Sequence, residues 1–261
     1  MIKYLKTHKR DIAIFFFVFI VSLIMCSAFL RPHYTHETYK IINIGYKDYS
    51  DLYFLKEGRP FTAMLTMIAD LINLKIEIYI LLSFIGALIF LSLSVVSVYN
   101  IFKHKTNNKI LDFIFVLVSF ITIFNYLAME HVYFIECSIM SLGIFLSIKC
   151  AKIVIYNEKN KYIKTFLLGL IGVFCYQGSL AFLPMIVIFY KLFFEKDTLK
   201  QNIKDIFKIS IIYIILMLLT IIYSKILFGV TRTQIGAEPF SIIEVWKWAI
   251  QLAINSLGVI P

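Results

Sequence analysis

Three runs of almost uninterrupted apolar residues constrain the fold of this chain more than any other feature. They cover Ile12 to Leu30, Ile76 to Phe102 and Ile206 to Phe228. Each run is near or above the roughly 20 residues that an α-helix needs to cross the hydrocarbon of a bilayer. Strands of a membrane barrel would alternate apolar and polar residues over about ten positions, and these runs do not. The chain is therefore predicted to be an all-α polytopic membrane protein.

The composition agrees with a membrane fold. Apolar residues make up 60% of the 261 residues and charged residues only 16%, whereas a soluble domain carries about 25% charged residues. The formal net charge of +10 is a feature that nucleic-acid-binding proteins also show. Here, however, the basic residues lie between the apolar runs, which is typical of membrane proteins. No nucleic-acid partner is predicted.

Basic clusters between the runs predict the orientation. The positive-inside rule places such clusters on the cytoplasmic side. They are Lys3, Lys6, Lys9 and Arg10; Lys103, Lys105 and Lys109; Lys152, Lys159, Lys161 and Lys164; and Lys196, Lys200, Lys204 and Lys208. The rule gives a multi-pass membrane protein with a cytoplasmic N-terminus and an outer loop at residues 31–75.

A single transmembrane domain is predicted over residues 1–261. Its expected spans are 12–30, 76–102, 111–128, 132–155, a short pair at 165–178 and 180–194, and 206–228. Residues 165–194 are treated as a pair because both flanks are basic, so this segment crosses twice or not at all. Two helices of about fourteen residues reach only about 21 Å each. Their turn, near residues 176–179, therefore needs cover from protein or a water-filled cavity.

The outer loop at residues 31–75 is predicted to form amphipathic helices along the membrane surface. Its large side chains recur every three to four positions, at Tyr39, Ile42, Tyr46, Tyr49, Tyr53 and Leu55. Gly58 before Pro60 predicts a turn between two of the helices. The loop also carries four carboxylates and four cations: Glu37, Asp48, Asp51 and Glu57; Lys40, Lys47, Lys56 and Arg59. This mixture indicates a site for an anionic, hydroxyl-rich ligand, and a solvated surface with incidental ion pairs is the alternative.

Four polar residues outside this loop are further candidates for the same site. Glu130 and His131 lie at the tip of a predicted outer hairpin, for which a polar turn in water is the alternative. Glu136 lies about a turn and a half inside the predicted fourth span, and Gln177 lies in the short pair. A carboxylate at the centre of a span costs about 2.5–3.5 kcal/mol on insertion scales, so Glu136 is expected to face protein or water. Hydrogen bonding between helices is the alternative for both Glu136 and Gln177.

No metal, cofactor or disulfide is predicted. The four cysteines fall within predicted spans without paired spacing; they are Cys26, Cys137, Cys150 and Cys175. Cysteine in such positions behaves as a small apolar residue. The sequence also has no phosphate-binding glycine loop and no zinc-ligand spacing.

Several short motifs resemble one family. They are H-E-T-Y-K-I-I-N-I-G-Y at 36–46, F-L-K-E-G-R-P-F at 54–61, M-E-H-V-Y-F at 129–134 and C-Y-Q-G-S at 175–179. In order and placement they resemble the membrane glucosyltransferases of the O-antigen-modifying type II family. The resemblance implies a GT-C-like bundle in the bacterial plasma membrane, a polyprenyl-phosphate sugar donor and a catalytic acid in the first outer loop. Members of this family are longer, which implies that residues 1–261 are an N-terminal part of the family fold.

The resemblance also implies roles for individual residues. Glu37 stands where the family commonly has Asp before a Thr-Tyr pair, and it is the candidate catalytic base, with Asp48 and Asp51 as fallbacks. Arg59 is the candidate phosphate clamp, because a planar guanidinium binds phosphate oxygens bidentately. A helix-start cation paired with Glu57 is the alternative for Arg59. The remaining candidate substrate-binding residues are Glu130, His131, Glu136 and Gln177.

The predicted function is sugar transfer at the outer face of the membrane. The sugar, glucose by resemblance, moves from a polyprenyl-phosphate donor to a polysaccharide or lipid-linked glycan acceptor. The alternatives are a flippase or transporter of lipid-linked sugars, or a polymerase. A transporter predicts pseudo-symmetric halves and ionisable residues near the midplane, whereas an enzyme predicts polar residues at one face. The acidic residues gather in the outer loop, which favours the enzyme.

Overall fold

The computed structural model describes residues 9–103, 109–125, 131–194 and 199–229, and within these ranges it is helical without strands. Its α-helices include α1 (Lys9–Met25), α2 (His36–Ile44), α3 (Tyr46–Tyr49), α4 (Pro60–Leu71), α5 (Ile76–Phe102), α6 (Lys109–Ile123), α7 (Cys137–Ile155), α8 (Lys161–Cys175), α9 (Phe182–Phe193) and α10 (Leu199–Phe228). Helix α3 continues as a π-helical turn, and two 3₁₀ turns complete the set: Ser50–Phe54, Ser27–Leu30 and Gln177–Ala181. The helical class predicted from the sequence is confirmed.

Three of the described helices are long and apolar enough to cross a membrane. They are α5, α7 and the Lys200–Phe228 part of α10. At 1.5 Å per residue, the 27 residues of α5 extend about 40 Å, more than the roughly 30 Å of hydrocarbon in a bilayer. These helices indicate that the chain is a membrane protein.

The helix bounds differ from the predicted spans at several places. Helix α1 ends at Met25, and a 3₁₀ turn follows it where the first predicted span continued to residue 30. Helix α7 begins at Cys137 and not at residue 132. In the short pair, α8 and α9 are separated by the 3₁₀ turn at Gln177–Ala181. Helix α10 begins at Leu199, because the polar residues before the predicted start at 206 continue the helix.

Helices α5 and α7 form the centre of the bundle. Helices α1 and α6 pack on α5, while α8 and α9 pack on α7, and α10 packs on α8 and α9. Phe84, Leu88 and Leu91 of α5 are fully buried, as is Ile148 of α7. Small residues permit close helix contact, as is usual in membrane bundles: a Cβ added to Gly143 would lie 3.2 Å from a backbone oxygen of α8.

One end of the bundle collects basic residues and is called the basic end below. There Arg10, at the start of α1, forms a salt bridge with Asp112 near the start of α6. Lys161, at the start of α8, lies 3.2 Å from Asp205 in the second turn of α10. Tyr156, just after α7, donates a hydrogen bond of 2.7 Å to a backbone carbonyl near the end of α5. The basic end therefore joins the starts of α1, α6, α8 and α10 to the ends of α5 and α7.

The opposite end carries the folded loop between α1 and α5 and is called the loop end. A ring nitrogen of His33 lies 3.2 Å from the carbonyl oxygen of Tyr133, in the segment before α7. Gln177, in the turn between α8 and α9, donates to two backbone carbonyls of the loop. The long loop, the start of α7 and the α8–α9 turn therefore meet at one place.

Candidate functional site

The first turn of α2 is held by a capping box. The hydroxyl of Thr35 accepts from the backbone N–H of Thr38 at 3.3 Å, and the hydroxyl of Thr38 accepts from the N–H of Thr35 at 3.1 Å. These bonds satisfy two of the donors that a helix start leaves unpaired. Glu37 lies in this turn and is half-buried. A carboxylate there is also favoured by the helix dipole.

The turn before α4 places Glu57 and Arg59 on either side of a glycine. Gly58 has a φ of +75°, and Pro60 occupies the first position of α4, where its missing N–H costs nothing. The Gln177 amide nitrogen donates to the carbonyls of Glu57 and Gly58, at 2.8 and 3.2 Å. A Cβ at Gly58 would lie 3.0 Å from that nitrogen. The turn is thus fixed directly against the α8–α9 turn.

A buried ion pair joins this turn to the start of α7. The Arg59 Nη1 atom lies 2.8 Å from Oε1 of Glu136, and Nη2 lies 3.2 Å from Oε2 of Glu57. Arg59 is 7% exposed and Glu136 is 3% exposed. A buried guanidinium needs such partners, because removing an ion from water is costly. Glu57, the alternative partner predicted for Arg59, and Glu136, which was not predicted as its partner, therefore both contact the guanidinium.

Glu136 lies at the start of a helix and not a turn and a half inside one. It is the residue immediately before α7, with φ −92° and ψ 16°. Residues 131–133 are helical, and a bend and a turn at residues 134–136 separate them from α7. There the N–H of Phe134 donates to the carbonyl of His131, and the N–H of Cys137 donates to the carbonyl of Phe134. The apolar residues of this segment therefore extend the hydrophobic run without belonging to α7. The expectation that Glu136 faces protein is met by its contact with Arg59.

Aromatic rings cover the guanidinium. The Arg59 Cζ atom lies 5.3 Å from the centre of the Tyr176 ring, a distance typical of a cation–π contact. The edge of the His131 ring meets Tyr176 at 5.2 Å between ring centres. Tyr176 therefore positions Arg59 from the α8–α9 turn, and His131 contacts the site through Tyr176.

These residues surround a cavity of about 260 Å³. Its lining consists of three carboxylates, one guanidinium, four aromatic rings and a methionine: Glu37, Glu57, Glu136, Arg59, Tyr49, Phe54, Phe134, Tyr176 and Met140. Small-molecule sites occupy about 300–1,000 Å³ and combine apolar walls with a few polar groups. The cavity has this composition and is slightly smaller, so it fits one compact polar group.

Two buried polar atoms of the ion pair lack a partner. Arg59 Nε and Glu136 Oε2 make no hydrogen bond within the described residues. Most buried polar groups in proteins are hydrogen-bonded. Both residues line the cavity, so a bound ligand is a natural source of the missing partners.

Burial and charge set the protonation of the site. Burial raises the pKa of Glu136, Arg59 opposes this, and the charges of Glu37 and Glu57 raise it further. Burial also raises the pKa of Tyr49 far above its usual range, with smaller contributions from the same carboxylates. The Tyr49 hydroxyl therefore stays protonated and can donate to a ligand.

The structure brings only part of the predicted site together. Glu37, Arg59 and Glu136 line the cavity, and Gln177 holds the turn through its backbone contacts. His131 lies at the edge of the site against Tyr176. The two fallback carboxylates are exposed on the loop and are not among the lining residues: Asp48 and Asp51. Glu130 lies outside the described residues.

Several lining residues were not predicted. They are Tyr49, Phe54, Glu57, Phe134, Met140 and Tyr176. The sequence analysis counted Glu57 among the loop carboxylates and as the alternative ion-pair partner of Arg59, but it gave Glu57 no role of its own in the site. Phe134 and Met140 had no signal, because they belong to a continuous apolar run.

The described residues do not contain a metal-ion cluster. In this part of the chain, no three His, Cys, Asp or Glu side chains come close enough to hold a metal ion. The four cysteines are buried and form no disulfide with one another.

Over the described ranges, the fold and site are those of a helical protein with three helices able to cross a membrane and a polar cavity at the loop end. No family model matches the chain, and no curated protein or solved structure matches it.

Proposed function

We propose that this chain is a glycosyltransferase of the plasma membrane. It moves a sugar, glucose by the motif resemblance, from a polyprenyl-phosphate carrier to a polysaccharide or lipid-linked glycan. The observation that carries the proposal is the loop-end cavity, in which Glu37, Glu136 and Arg59 converge among aromatic rings. Carboxylates accept hydrogen bonds from sugar hydroxyls, while a guanidinium binds phosphate.

Glu37 is the proposed base. In the transfer step, an acceptor hydroxyl oxygen bonds to the anomeric carbon of the donor sugar, and the bond from that carbon to the phosphate oxygen breaks. The hydroxyl proton passes to the Glu37 carboxylate, and the carrier leaves as polyprenyl phosphate. The capping box on the first turn of α2 holds the Glu37 backbone in place, which favours a fixed geometry for proton transfer.

Arg59 is the proposed phosphate-binding residue. The departing phosphate gains negative charge as the sugar leaves, and a preoriented cation stabilises that charge without reorganisation. Glu57, Glu136 and Tyr176 fix the orientation of the guanidinium, and Nε remains available.

The aromatic lining suits a sugar ring. Tyr49 and Phe54 from the loop face the cavity together with Phe134 and Tyr176 from the bundle. Rings of this kind offer large apolar surface with little conformational freedom to lose, while the Tyr49 hydroxyl offers a donor. A site of this composition binds a ligand that has both apolar C–H faces and hydroxyl groups.

The placement of charge favours an enzyme over a transporter of the same lipids. A transporter of this kind has its ionisable residues near the midplane of the membrane. Among the described residues, the salt bridges lie at the two ends of the bundle: at the loop end around Arg59, and at the basic end around Asp112, Asp205 and Glu158. The polar cavity also lies at one end, as an enzyme acting at one face requires.

We further propose that the basic end faces the cytoplasm and the loop end faces outward. Lysine and arginine near the ends of membrane helices favour the cytoplasmic side. Arg10, Lys103 and Lys161 all lie at the basic end. The protein then crosses the membrane several times, with its sugar-transfer cavity outside.

Cysteine labelling tests this orientation. Asp48 on the outer loop and Lys159 between α7 and α8 are both exposed, and the four native cysteines are buried, so background labelling should be low. In intact cells, an impermeant thiol reagent should label Asp48→Cys and should label Lys159→Cys only after the membrane is permeabilised. Labelling of both variants in intact cells would place the two ends on the same side and contradict the proposal.

A donor-dependence assay tests the function. Membranes from cells that produce the chain should transfer labelled glucose from polyprenyl-phosphate glucose to glycan, and membranes from cells that lack it should not. A nucleotide-linked glucose should not serve when synthesis of the polyprenyl-linked donor is blocked. Transfer that depends on the chain but uses the nucleotide sugar directly would contradict the proposed donor.

A further inference from the structure

The first turns of α10 carry a row of three lysines on one helix face. Lys200, Lys204 and Lys208 are spaced four residues apart and are all exposed; they are called the lysine stripe below. Residues four apart lie next to each other on a helix, and like charges in this arrangement repel. The positive end of the helix dipole also lies here, and it disfavours cations. The stripe is therefore unfavourable in the protein alone.

Other cations at the basic end add to this charge. Lys208 Nζ lies 4.8 Å and Lys161 Nζ lies 5.1 Å from the centre of the Tyr162 ring. Helix α8 begins at Lys161 without a side-chain cap, so it presents a second positive helix end to the same place. Lys208 of the stripe and Lys161 therefore meet around one tyrosine ring.

Among the described residues, Asp205 lies next to this cluster, and its single charge does not balance it. Asp205 lies 3.2 Å from Lys161 and 3.4 Å from Lys191, through the same oxygen, Oδ2. Its other oxygen accepts a hydrogen bond of 2.8 Å from Tyr162. Lys191 is only 4% exposed, and a buried ammonium requires a close counter-charge. Asp205 is thus shared between Lys161 and the buried Lys191, so within the described residues one carboxylate faces more than one cation.

An apolar, exposed face lies directly beside the lysine stripe. Ile203 and Phe207 are 54% and 65% exposed, and Ile211 and Ile214 continue the same side of α10. This helix belongs to the set able to cross a membrane, so these residues meet acyl chains. A ligand at the lysines therefore has hydrocarbon next to it, as a lipid headgroup does and a free phosphate ion does not.

We propose that the lysine stripe, together with Lys161, binds the phosphate headgroup of an anionic membrane lipid whose acyl chains lie against Phe207 and Ile211. Juxtamembrane lysines are attracted to anionic lipid surfaces, and the repulsion within the stripe falls when an anion bridges the ammonium groups. Snorkelling of the long lysine side chains brings the charges to the level of the phosphates. The bound lipid holds α10 against α8 at the basic end, independently of sugar transfer at the loop end.

Lipid binding to the purified full chain tests this proposal. In detergent, titration with phosphatidylglycerol should show saturable binding by native mass spectrometry, and phosphatidylcholine should bind at least tenfold more weakly. Lys208→Gln should weaken phosphatidylglycerol binding about fivefold, since one lysine near an anionic surface contributes about that factor. Lys208 is exposed, so this change should leave the fold intact.

The matched control is Lys164→Gln. Lys164 is also an exposed lysine of the basic end, but its Nζ lies 2.7 Å from Glu158, and its replacement should change binding by less than about twofold. Equal losses of phosphatidylglycerol binding in the two variants would show that exposed lysines of the basic end attract the lipid without a specific site, and would overturn the proposal. Equal binding of the two lipids would overturn it as well. Inorganic phosphate should not compete at the concentration of half-saturating lipid, and full competition would assign the site to a free anion instead.

Discussion

Replacing Arg59 with alanine is expected to destabilise the protein by about 3–5 kcal/mol, the usual cost of removing one partner of a buried ion pair. Glu136 is 3% exposed and would lose its 2.8 Å contact with the guanidinium. The uncompensated carboxylate would then remain buried beside Glu37 and Glu57. Thermal unfolding of the purified chain in detergent measures the loss.

The loss should depend on pH in a defined direction. Burial already raises the pKa of Glu136 in the folded protein, and Arg59 opposes that rise. Without Arg59 the folded-state pKa rises further above the unfolded value, so the folded state binds a proton more strongly. Stability of Arg59→Ala should therefore increase as the pH falls through the raised pKa. The difference in stability from the wild type should therefore narrow as the pH falls.

A double variant tests whether removing both charges avoids the loss of stability caused by an unpaired buried carboxylate. Arg59→Met with Glu136→Leu replaces both charges by apolar side chains of similar size, a change that is often neutral or stabilising. It should recover most of the stability lost in Arg59→Ala but lose sugar transfer. The control is Lys164→Ala, which removes the exposed pair with Glu158 and should cost less than about 1 kcal/mol. An Arg59→Ala protein as stable as the wild type would show that this pair is not a buried contact.

Replacing Glu37 with glutamine is expected to reduce sugar transfer by about 10²-fold or more, the effect of losing a general base. Glutamine keeps the size and hydrogen-bonding capacity of the side chain but cannot accept the proton. Glu37 is only half-buried, so expression and unfolding temperature should stay near those of the wild type. Glu37→Asp should retain part of the activity, because the carboxylate remains, displaced by one methylene.

Two other carboxylates of the loop provide matched controls. Asp48→Asn and Asp51→Asn remove the same charge from exposed positions that do not line the cavity. Their transfer rates should stay within about threefold of the wild type, since screened surface charges act weakly at this distance. A large loss at Asp48 or Asp51, with little loss at Glu37, would move the base out of the cavity.

The helical class could be predicted because long apolar runs leave few other folds. In the outer loop, the periodic pattern predicted helices but not where one helix ends and the next begins. Tyr46 and Tyr49 are buried against the bundle, but Tyr39 and Ile42 of the same pattern are 57% and 52% exposed. The chain changes direction at Gly45, where φ is +89°, so the two halves of the pattern lie on different helices. A single periodicity cannot reveal such a break.

The centre of the site could not be predicted from local sequence. Arg59 and Glu136 are separated by 77 positions, and no local pattern links them. The start of α7 could not be predicted either, because the apolar residues 132–135 continue the hydrophobic run up to Glu136. Composition identified the residue types of the site, whereas their convergence depends on how α5, α7 and the α8–α9 turn pack together.

The side of the membrane on which the sugar is transferred tests the central proposal most directly. The purified chain would be reconstituted into vesicles with polyprenyl-phosphate glucose in the membrane, and an impermeant glycan acceptor would be supplied outside. Protease access to the loop at residues 31–75 would identify the vesicles whose loop end faces outward. Those vesicles should glucosylate the acceptor, and the same vesicles with Glu37→Gln should do so about 10²-fold more slowly. Transfer only in vesicles with the loop end enclosed, or equal transfer by both proteins, would contradict a catalytic site in this cavity.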